Sequence, residues 1–344
     1  MYKVGVIGTG WVASTRHIPS FKRDPRIEIV GVTSSVMESV KRAAKKFDIP
    51  NYYETTDELL KQDLDIVNIC TPPFAHHDLV IKSAEAGCHI LVEKPFAMNS
   101  KESEEMIAAA RKNNVKLCVS HNFLFSRSMK RVKKLRDSNE LGKITGALAL
   151  QLSNLKRRLP TWYPNLPGGL FFDESPHMLY SILEFLGNVS LEWAKTTKFE
   201  NNPQPLSRVE ALMASKSSDA TAYLRFAFDA PRDEWILMIM GTKRVMLVDF
   251  FRDTVMELAG GGEHTASEVL SHSMNYMWQY TKETVTSGAK LLTRNLYFGH
   301  SELIRRFIDS IENDTEVPVT AESGKEVIEL IEQILNKADQ RIPN

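Results

Sequence analysis

Val4-Gly5-Val6-Ile7-Gly8-Thr9-Gly10-Trp11-Val12-Ala13 is the stretch that decides the fold of the first part of the chain. An apolar run leading into a G-x-G-x-x-G/A pattern predicts a strand, a tight turn and a helix. The first glycine permits the turn, the second lets the backbone approach a pyrophosphate, and the small third residue allows close packing. The helix start would offer unpaired N–H groups and partial positive charge to that anion. We therefore predict a dinucleotide site with contacts from Gly8, Thr9, Gly10, Trp11 and Val12.

Strand and helix signals alternate through the first third of the chain, which is typical of a parallel sheet with helical crossovers. The strand-like runs are Tyr2–Ile7, Ile27–Val32, Leu64–Cys70, Cys88–Val92 and Lys116–Ser120. The helical stretches between them are Val36–Phe47, Ala75–Ala86 and Lys101–Asn113. We predict a doubly wound α/β Rossmann domain over residues 1–122.

After residue 122 the strand signals follow one another without long crossovers, which predicts a mostly antiparallel sheet. They are Ile144–Leu152, Leu191–Phe199, Arg208–Ala214, Ala220–Phe228, Glu234–Gly241 and Val245–Phe250, with a turn at 241–244. Helices are predicted at Ala266–Leu292, Ser301–Ile311 and Ser323–Ala338. The first of these is rich in methionine and aromatic residues, as is common in a core or a subunit interface. We predict an α+β domain over residues 123–344, whose C-terminal helices can pack back on the first domain.

Composition excludes some classes of protein. Lys+Arg and Asp+Glu both number 43, so the formal net charge is zero and the electrostatic footprint of a nucleic-acid binder is absent. The three cysteines, Cys70, Cys88 and Cys118, lie in or beside apolar runs and suggest small core residues in a reducing compartment. The chain begins directly with a strand signal and has no membrane-length apolar run. We expect a cytoplasmic protein.

The end of the second strand bears on the choice of nucleotide. An acid normally stands there, where it binds the adenosine ribose diol and repels a 2′-phosphate. Here the chain continues as Thr33-Ser34-Ser35, and the nearest carboxylate is Glu38. The missing acid, the Ser34 hydroxyl and the nearby Lys41 or Arg42 could accommodate the 2′-phosphate. This slightly favours NADP and does not exclude NAD.

The third strand-like run ends at Cys70-Thr71-Pro72-Pro73. Two prolines at this position force the chain out of the ladder and over the sheet edge. In open α/β sheets that edge is where ligands lie. We predict Thr71 and Pro72 as walls of the cofactor site, whereas Pro73 is equally well explained as a loop terminator.

Lys94 and the Asp173–His177 stretch offer groups for proton transfer. Lys94 follows a buried strand and can hydrogen-bond a substrate hydroxyl, favour its deprotonation or orient the nicotinamide ribose. Ser175-Pro176 predicts a helix start, with His177 in the first turn and Asp173 just outside it. The histidine has a suitable pKa to take a hydroxyl proton, and the aspartate can hold its tautomer. By itself a lysine at the end of a strand is more often solvated than catalytic. By themselves Asp173 and His177 are explained at least as well by a capping aspartate and a surface histidine.

Taken together, these motifs resemble the glucose–fructose oxidoreductase/inositol dehydrogenase (Gfo/Idh/MocA) family. The matching stretches cover nearly the whole chain: 4–10, 70–73, His76, 86–95, 168–177 and Ser323-Gly324. The resemblance implies a Rossmann domain plus an open-faced sheet domain, and homodimers or homotetramers packed through that sheet. It implies NAD(P) as cofactor and Lys94 and His177 as the catalytic pair, assisted by Asp173. It also places His76 and Glu93 in the cofactor site and Asn122 near nicotinamide or substrate.

The expected reaction is oxidation of a secondary alcohol on a sugar, sugar derivative or cyclitol, or the reverse reduction. Arg157, beside Lys156 and Arg158, could grip a phosphate while Trp162 or Tyr163 stacks on a sugar or base, which would suit a nucleotide-linked substrate. A solvated basic loop explains these residues equally well. No metal is predicted.

Two departures from the family pattern and two other functions stay open. Ser175 stands where the family often has glycine and could narrow the substrate pocket, and 266–292 is longer than the usual connection. One alternative function is redox-neutral glycoside or epimer chemistry with tightly held NAD. The other is a non-catalytic module that binds NAD(P) and a partner.

Overall fold

The computed structural model describes residues 1–199, 205–258, 260, 263, 265–292 and 298–339 of the 344-residue chain. The chain divides into two compact units. The first comprises Met1–Asn122 and Gly299–Glu329, and the second comprises Phe123–Phe298 and Leu330–Asn344.

The first unit is built on a six-stranded sheet in the order β3-β2-β1-β4-β5-β6. Its strands are all parallel: β1 (Tyr2–Ile7), β2 (Ile27–Thr33), β3 (Asn51–Tyr53), β4 (Ile66–Ile69), β5 (His89–Val92) and β6 (Leu117–Val119). The crossover helices are α1 (Ile18–Phe21), α2 (Met37–Phe47), α3 (Thr56–Leu60), α4 (His76–Glu85) and α5 (Ser100–Lys112). The strand order reverses between β1 and β4, so the predicted doubly wound sheet is confirmed and these two strands flank the switch point.

The central strands are buried on both faces, which explains why they are continuous apolar runs in the sequence. Val4 and Val6 of β1 and Ile66 of β4 have no exposed surface. The sequence analysis did not predict β3. Its sequence, Asn51-Tyr52-Tyr53, has no apolar run because it forms a short edge strand.

The second unit contains a seven-stranded sheet in the order β13-β12-β11-β7-β10-β9-β8. Its strands are β7 (Ile144–Leu152), β8 (Val189–Thr197), β9 (Arg208–Ser215), β10 (Thr221–Ala227), β11 (Glu234–Gly241), β12 (Val245–Asp249) and β13 (Thr254–Leu258). Only the β7–β10 pair is parallel, so the prediction of a mostly antiparallel sheet is confirmed. The helices of this unit are α6 (Arg127–Asp137), α7 (Leu170–Leu186) and α8 (Ala266–Leu292). Of the last two helices, α9 (His300–Glu312) belongs to the first unit, and α10 (Ala321–Asp339) begins in the first unit and ends in the second.

One face of this sheet is covered and the other is partly open. In β9, Val209, Ala211 and Met213 are buried, whereas Leu212 between them is exposed. α7 packs on the covered side against β7 and β10. The sequence analysis missed α6, which buries only a narrow apolar stripe among basic residues, and β13, which is an edge strand.

The start of α7 corrects the sequence-based prediction. The helix begins at Leu170, not at Ser175, and Pro176 lies inside it. Gly168 and Gly169 adopt positive φ angles of 71° and 63° and turn the chain into the helix. Nearly every side chain of α7 is buried, and this packing carries the helix through a proline that cannot donate to the carbonyl of Phe172.

α8 spans the full predicted range, Ala266–Leu292. Among the described residues, no helix combines the length and the apolar character needed to cross a membrane.

Candidate active site

The glycine loop lies between the ends of β1 and β4. Gly8 has φ +93°, and a Cβ added there would lie 2.5 Å from the Cys70 carbonyl oxygen, so only glycine fits. Its N–H donates to the Thr33 carbonyl at 2.8 Å. A Cβ at Gly10 would meet nothing within 4 Å, so this residue faces open space. The two glycines therefore do different things: one makes the turn and the other leaves the backbone approachable.

The helix after the loop opens with a π-helical turn at Ala13–His17. The N–H of Ile18 bonds to the carbonyl of Ala13, five residues back, and Pro19 follows with no donor of its own. Trp11 is half exposed and lies beneath the Arg16 guanidinium, 5.2 Å from the ring centroid. His17, at the end of this turn, is fully buried.

The loop after β4 carries an unsatisfied hydroxyl. Thr71 Oγ1 is buried and has no hydrogen-bond partner among the described residues. His76 lies beneath this loop, fully buried, with Nε2 2.9 Å from the Thr71 carbonyl and Nδ1 2.9 Å from the Pro95 carbonyl. Burial lowers the pKa of His76. This histidine joins the loops that follow β4 and β5.

Glu93 is the centre of a buried polar cluster. Its Oε1 accepts a hydrogen bond from His17 Nε2 at 2.6 Å, and His17 Nδ1 lies 2.9 Å from Asn68 Oδ1. The Asn68 amide nitrogen donates to Cys70 Sγ at 3.1 Å, so its oxygen faces the histidine. Both ring nitrogens of His17 therefore face acceptors, and because one of them is the Glu93 carboxylate, the ring that carries both protons is favoured.

The pKa shifts agree with that assignment. Burial lowers the pKa of His17, but Cys70 and Glu93 raise it by more, and it ends well above its ordinary value. Burial raises the pKa of Glu93, but the hydrogen bond and charge of His17 hold it well below its usual range. His300 Nε2 lies 3.9 Å from Glu93 Oε1, and these three residues have metal-ligand atoms within 4.8 Å of one another. Because a proton fills the short gap between His17 and Glu93, we assign the cluster to an ion pair.

Lys94 follows this cluster directly. Its backbone N–H donates to Glu93 Oε2 at 3.2 Å, and the residue is half-buried. Asn122, predicted to lie near nicotinamide or substrate, is buried at the start of the short helical turn Asn122–Phe125. Ser34 is half-buried just beyond the end of β2.

In the second unit, Asp173 and His177 lie one turn apart on α7, and both are buried. Residues four apart share a helix face, so α7 presents the two side chains together. His177 Nδ1 is 2.8 Å from the Tyr180 hydroxyl, which also accepts the backbone N–H of Phe123 at 3.1 Å. Ser175, between them in sequence, has a buried hydroxyl with no partner among the described residues.

Aromatic rings fix the plane of the His177 imidazole. The Phe123 ring stacks on it at 4.5 Å between centroids, and Trp235 lies at 5.3 Å, tilted by 44°. The sequence analysis missed Tyr180, although its spacing of three residues from His177 was a usable signal. It also missed His17, seven residues after Gly10.

Arg157 is held by carboxylates. Its guanidinium pairs with buried Glu174 and lies 3.2 Å from Asp233. Glu174 also accepts hydrogen bonds from Gln151 and from Ser153 Oγ. Two acids already neutralise this guanidinium, so a substrate phosphate would have to compete with them. Trp162 and Tyr163 are half-buried nearby in sequence, at the turn Tyr163–Asn165.

The first part of the chain matches the model of a known protein family. Residues 2–121 match the Gfo/Idh/MocA model, described as an oxidoreductase family with an NAD-binding Rossmann fold. The resemblance predicted from the sequence is confirmed over this part of the chain.

Curated relatives match part of the chain. D-glucoside 3-dehydrogenase of Escherichia coli is 27% identical over 206 residues, 58% of this chain and 58% of its own length. The uncharacterized oxidoreductase YrbE of Bacillus subtilis is 32% identical over 177 residues, half of each chain. The chain thus spans between half and three fifths of the length of these relatives.

Solved structures share the fold over nearly the whole chain. The WlbA dehydrogenase from Bordetella pertussis, solved in complex with NADH and UDP-GlcNAcA, aligns with a TM-score of 0.82. The alignment covers 99% of this chain and 96% of that one at 18% identity, and it shows the shared fold.

The first unit fits a dinucleotide on its own geometry. Gly10 leaves open space at the switch point where a pyrophosphate would lie, and a helical segment begins there. Thr71 Oγ1 is a buried polar atom in need of a partner at the same edge.

Proposed function

We propose that the chain is an NAD(P)-dependent dehydrogenase acting on a secondary alcohol, or the corresponding ketone, of a sugar, sugar derivative or cyclitol. The observation that carries this proposal is the open backbone at Gly10 beside the turn at Gly8, which only glycine fits. A relative named D-glucoside 3-dehydrogenase supports the carbohydrate class.

The contacts proposed for the cofactor come from the first unit. Gly8, Thr9, Gly10, Trp11 and Val12 would hold the pyrophosphate and its surroundings. Ser34, Thr71, Pro72, His76, Glu93, Lys94 and Asn122 complete the proposed set. Of these, His76 and the Glu93 carboxylate would support the residues that contact the cofactor rather than contact it themselves, because both are buried and bonded to protein groups. When bound, nicotinamide supplies the acceptor or donor of the hydride.

The proton is proposed to pass through His177. One lone pair of the Tyr180 oxygen is taken by the Phe123 N–H, and the other can accept the His177 Nδ1–H. That tautomer leaves the Nε2 lone pair to take the proton of a substrate hydroxyl. Lys94 is proposed to hydrogen-bond a substrate hydroxyl and favour its deprotonation, and Asp173 is proposed to assist His177.

Three finer points belong to the same proposal. No carboxylate stands at residues 33–37, directly after β2, which favours NADP over NAD. A nucleotide-linked substrate would use Arg157, Trp162 and Tyr163, and it would have to draw Arg157 from its acids. The chain is also proposed to form homodimers or homotetramers through the sheet of the second unit. A cytoplasmic location is proposed as well, and the three unpaired, buried cysteines support it.

The test is a titration with NADH and NADPH followed by nicotinamide fluorescence, then a screen of sugars, cyclitols and nucleotide sugars for turnover. Nucleotide binding with turnover that vanishes in Lys94→Ala and in His177→Ala supports the dehydrogenase. Stoichiometric cofactor that survives purification, with no net redox turnover, would instead favour redox-neutral chemistry. Binding without turnover of any kind would favour a sensor. Failure of apo-protein to bind either nucleotide would overturn the proposal from the glycine loop onward.

A further inference from the structure

α8 is an amphipathic helix with its polar face turned inward. At 100° per residue, the buried or half-buried positions lie on one side, except Gly288, which has no side chain. They are Glu268, His272, Tyr276, Gln279, Glu283, Ser287 and Lys290. The outward stripe, about half a turn away, runs along Leu270, Met274, Met277, Trp278, Thr281, Val285 and Leu292. This is the reverse of the usual arrangement for a surface helix.

Polar contacts attach α8 to α6 and β13 of the same unit. The side-chain amide of Gln279 donates to the Glu257 carbonyl at 3.1 Å and accepts the Glu257 N–H at 2.9 Å, so it caps the edge strand β13. Glu283 is 4% exposed and receives Arg127 at 2.5 Å and Arg131 at 3.0 Å. These contacts orient the helix, because a rotation about its axis would break them.

The outward stripe has no apolar cover among the described residues. Leu270, Trp278 and Val285 are 64%, 67% and 66% exposed, and Met274 and Met277 are more than half exposed. A helix draws most of its stability from burying an apolar face, and contiguous exposed apolar patches of this kind mark interaction sites. Methionine and tryptophan are also enriched at protein interfaces.

We propose that this stripe pairs two copies of the chain, α8 against α8, antiparallel about a two-fold axis at Met277 and Trp278. In that register Leu270 faces Val285 of the other copy and Met274 faces Thr281. A two-fold interface must be self-complementary, and the stripe meets that condition with small or apolar residues opposite one another. Antiparallel packing also sets the helix dipoles in a favourable arrangement.

The extent of the stripe suits a stable contact. In that register Leu292 lies beyond the end of the facing helix. Covering the other five exposed apolar side chains would bury on the order of 600 Å² of each protomer, the lower end of the range for a specific interface. A membrane surface is a less suitable partner for the outward stripe than a second copy of the chain. A helix that lies in the lipid interface is rich in lysine and arginine on its polar face, whereas α8 has only Lys282 and Lys290.

The first experiment is sedimentation velocity on the full chain over a concentration series. Trp278→Glu is expected to raise the dissociation constant of one assembly step at least 100-fold, halving the mass of the assembly. The matched control is Asn275→Glu, which adds the same charge at an exposed position of the same helix outside the stripe, and it is expected to leave the mass unchanged. A monomeric wild type at micromolar concentration, or an assembly that Trp278→Glu does not weaken, would overturn the proposal. So would flotation of the wild type with phosphatidylcholine/phosphatidylglycerol vesicles while it remains monomeric in solution.

A cross-linking experiment tests the register. The three native cysteines are buried, so engineered thiols report alone. Under oxidation, a mixture of Leu270→Cys and Val285→Cys chains is expected to form a disulfide between the two variants, and Leu270→Cys alone is expected to form none. Efficient cross-linking of Leu270→Cys to itself would contradict the antiparallel pairing.

Discussion

His17 in the first unit and His177 in the second are both buried histidines beside predicted catalytic residues, yet their surroundings differ in kind. His17 lies between a carboxylate and an amide oxygen, which only accept hydrogen bonds. His177 Nδ1 meets the Tyr180 hydroxyl, which can accept or donate. A buried carboxylate against one nitrogen favours the charged ring, whereas a hydroxyl partner, which can accept or donate, allows the ring to change its protonation state. The same side chain thus serves as a fixed charge in one unit and as a proposed proton carrier in the other.

The largest expected effect is on turnover by His177→Ala. Loss of the proposed base should lower kcat/KM by about 100- to 10,000-fold on whichever alcohol the wild type oxidises. NADH affinity, read by fluorescence, should stay close to wild type because the glycine loop is intact. His77→Ala, a change at a solvent-accessible histidine of α4, is the control and should leave turnover unchanged. A His177→Ala enzyme of near wild-type activity would show that His177 does not carry the proton.

Glu93→Gln should instead act on stability. The variant leaves the His17 imidazolium buried without its anion, which is expected to cost about 3–5 kcal/mol of unfolding free energy. The double variant Glu93→Gln/His17→Gln should be more stable than Glu93→Gln alone, because the unpaired charge is gone. Urea unfolding measures the free energy of unfolding of the single and the double variant. Additive losses from the two single changes would show that the residues do not form the ion pair.

Tyr180→Phe should have an intermediate effect. It leaves the buried Phe123 N–H without its acceptor, at a cost of about 1–3 kcal/mol, and releases His177 Nδ1. In protein labelled with ¹⁵N-histidine, with the resonance assigned by His177→Gln, the wild-type ring should hold its proton on Nδ1. The variant should show a mixture of tautomers and a shifted pH profile of kcat/KM. Identical ¹⁵N shifts in the two proteins would mean that Tyr180 does not set the tautomer.

The smallest effect is a pH dependence. The folded-state pKa of His17 is raised, so its stabilisation is fully present below the unfolded value near 6.5 and is lost as the pH rises towards the folded value. The gap in unfolding free energy between wild type and His17→Gln should therefore be largest near pH 6. It should shrink by at most about 1.4 kcal/mol per pH unit above 6.5. Urea unfolding at pH 6, 7 and 8 checks this, and a gap that widens with pH would contradict the sign.

The sequence predicted some elements closely and others not at all. β1, β7 and β11 have the predicted bounds, because each carries an apolar pattern with a turn beside it. α8 also has the predicted bounds, although its methionine and aromatic residues show no clean period. β3 and β13 were missed, since edge strands bury too little apolar surface to leave a pattern. The start of α7 was placed five residues late because Ser-Pro is a strong local signal for a helix start. Burial of nearly the whole helix overrode that signal.

By itself, the sequence determined the order of strands and helices in the first unit, the glycine loop and the resemblance of that part of the chain to the Gfo/Idh/MocA family. These depend on local spacing, which a single chain displays directly. Only the tertiary structure decided that Glu93 meets His17, 76 residues away in sequence, that Tyr180 and Phe123 hold His177, and that α8 turns its polar side inward. Such facts depend on which residues the fold brings together, and hydrogen bonds between distant residues leave no periodic trace in the chain.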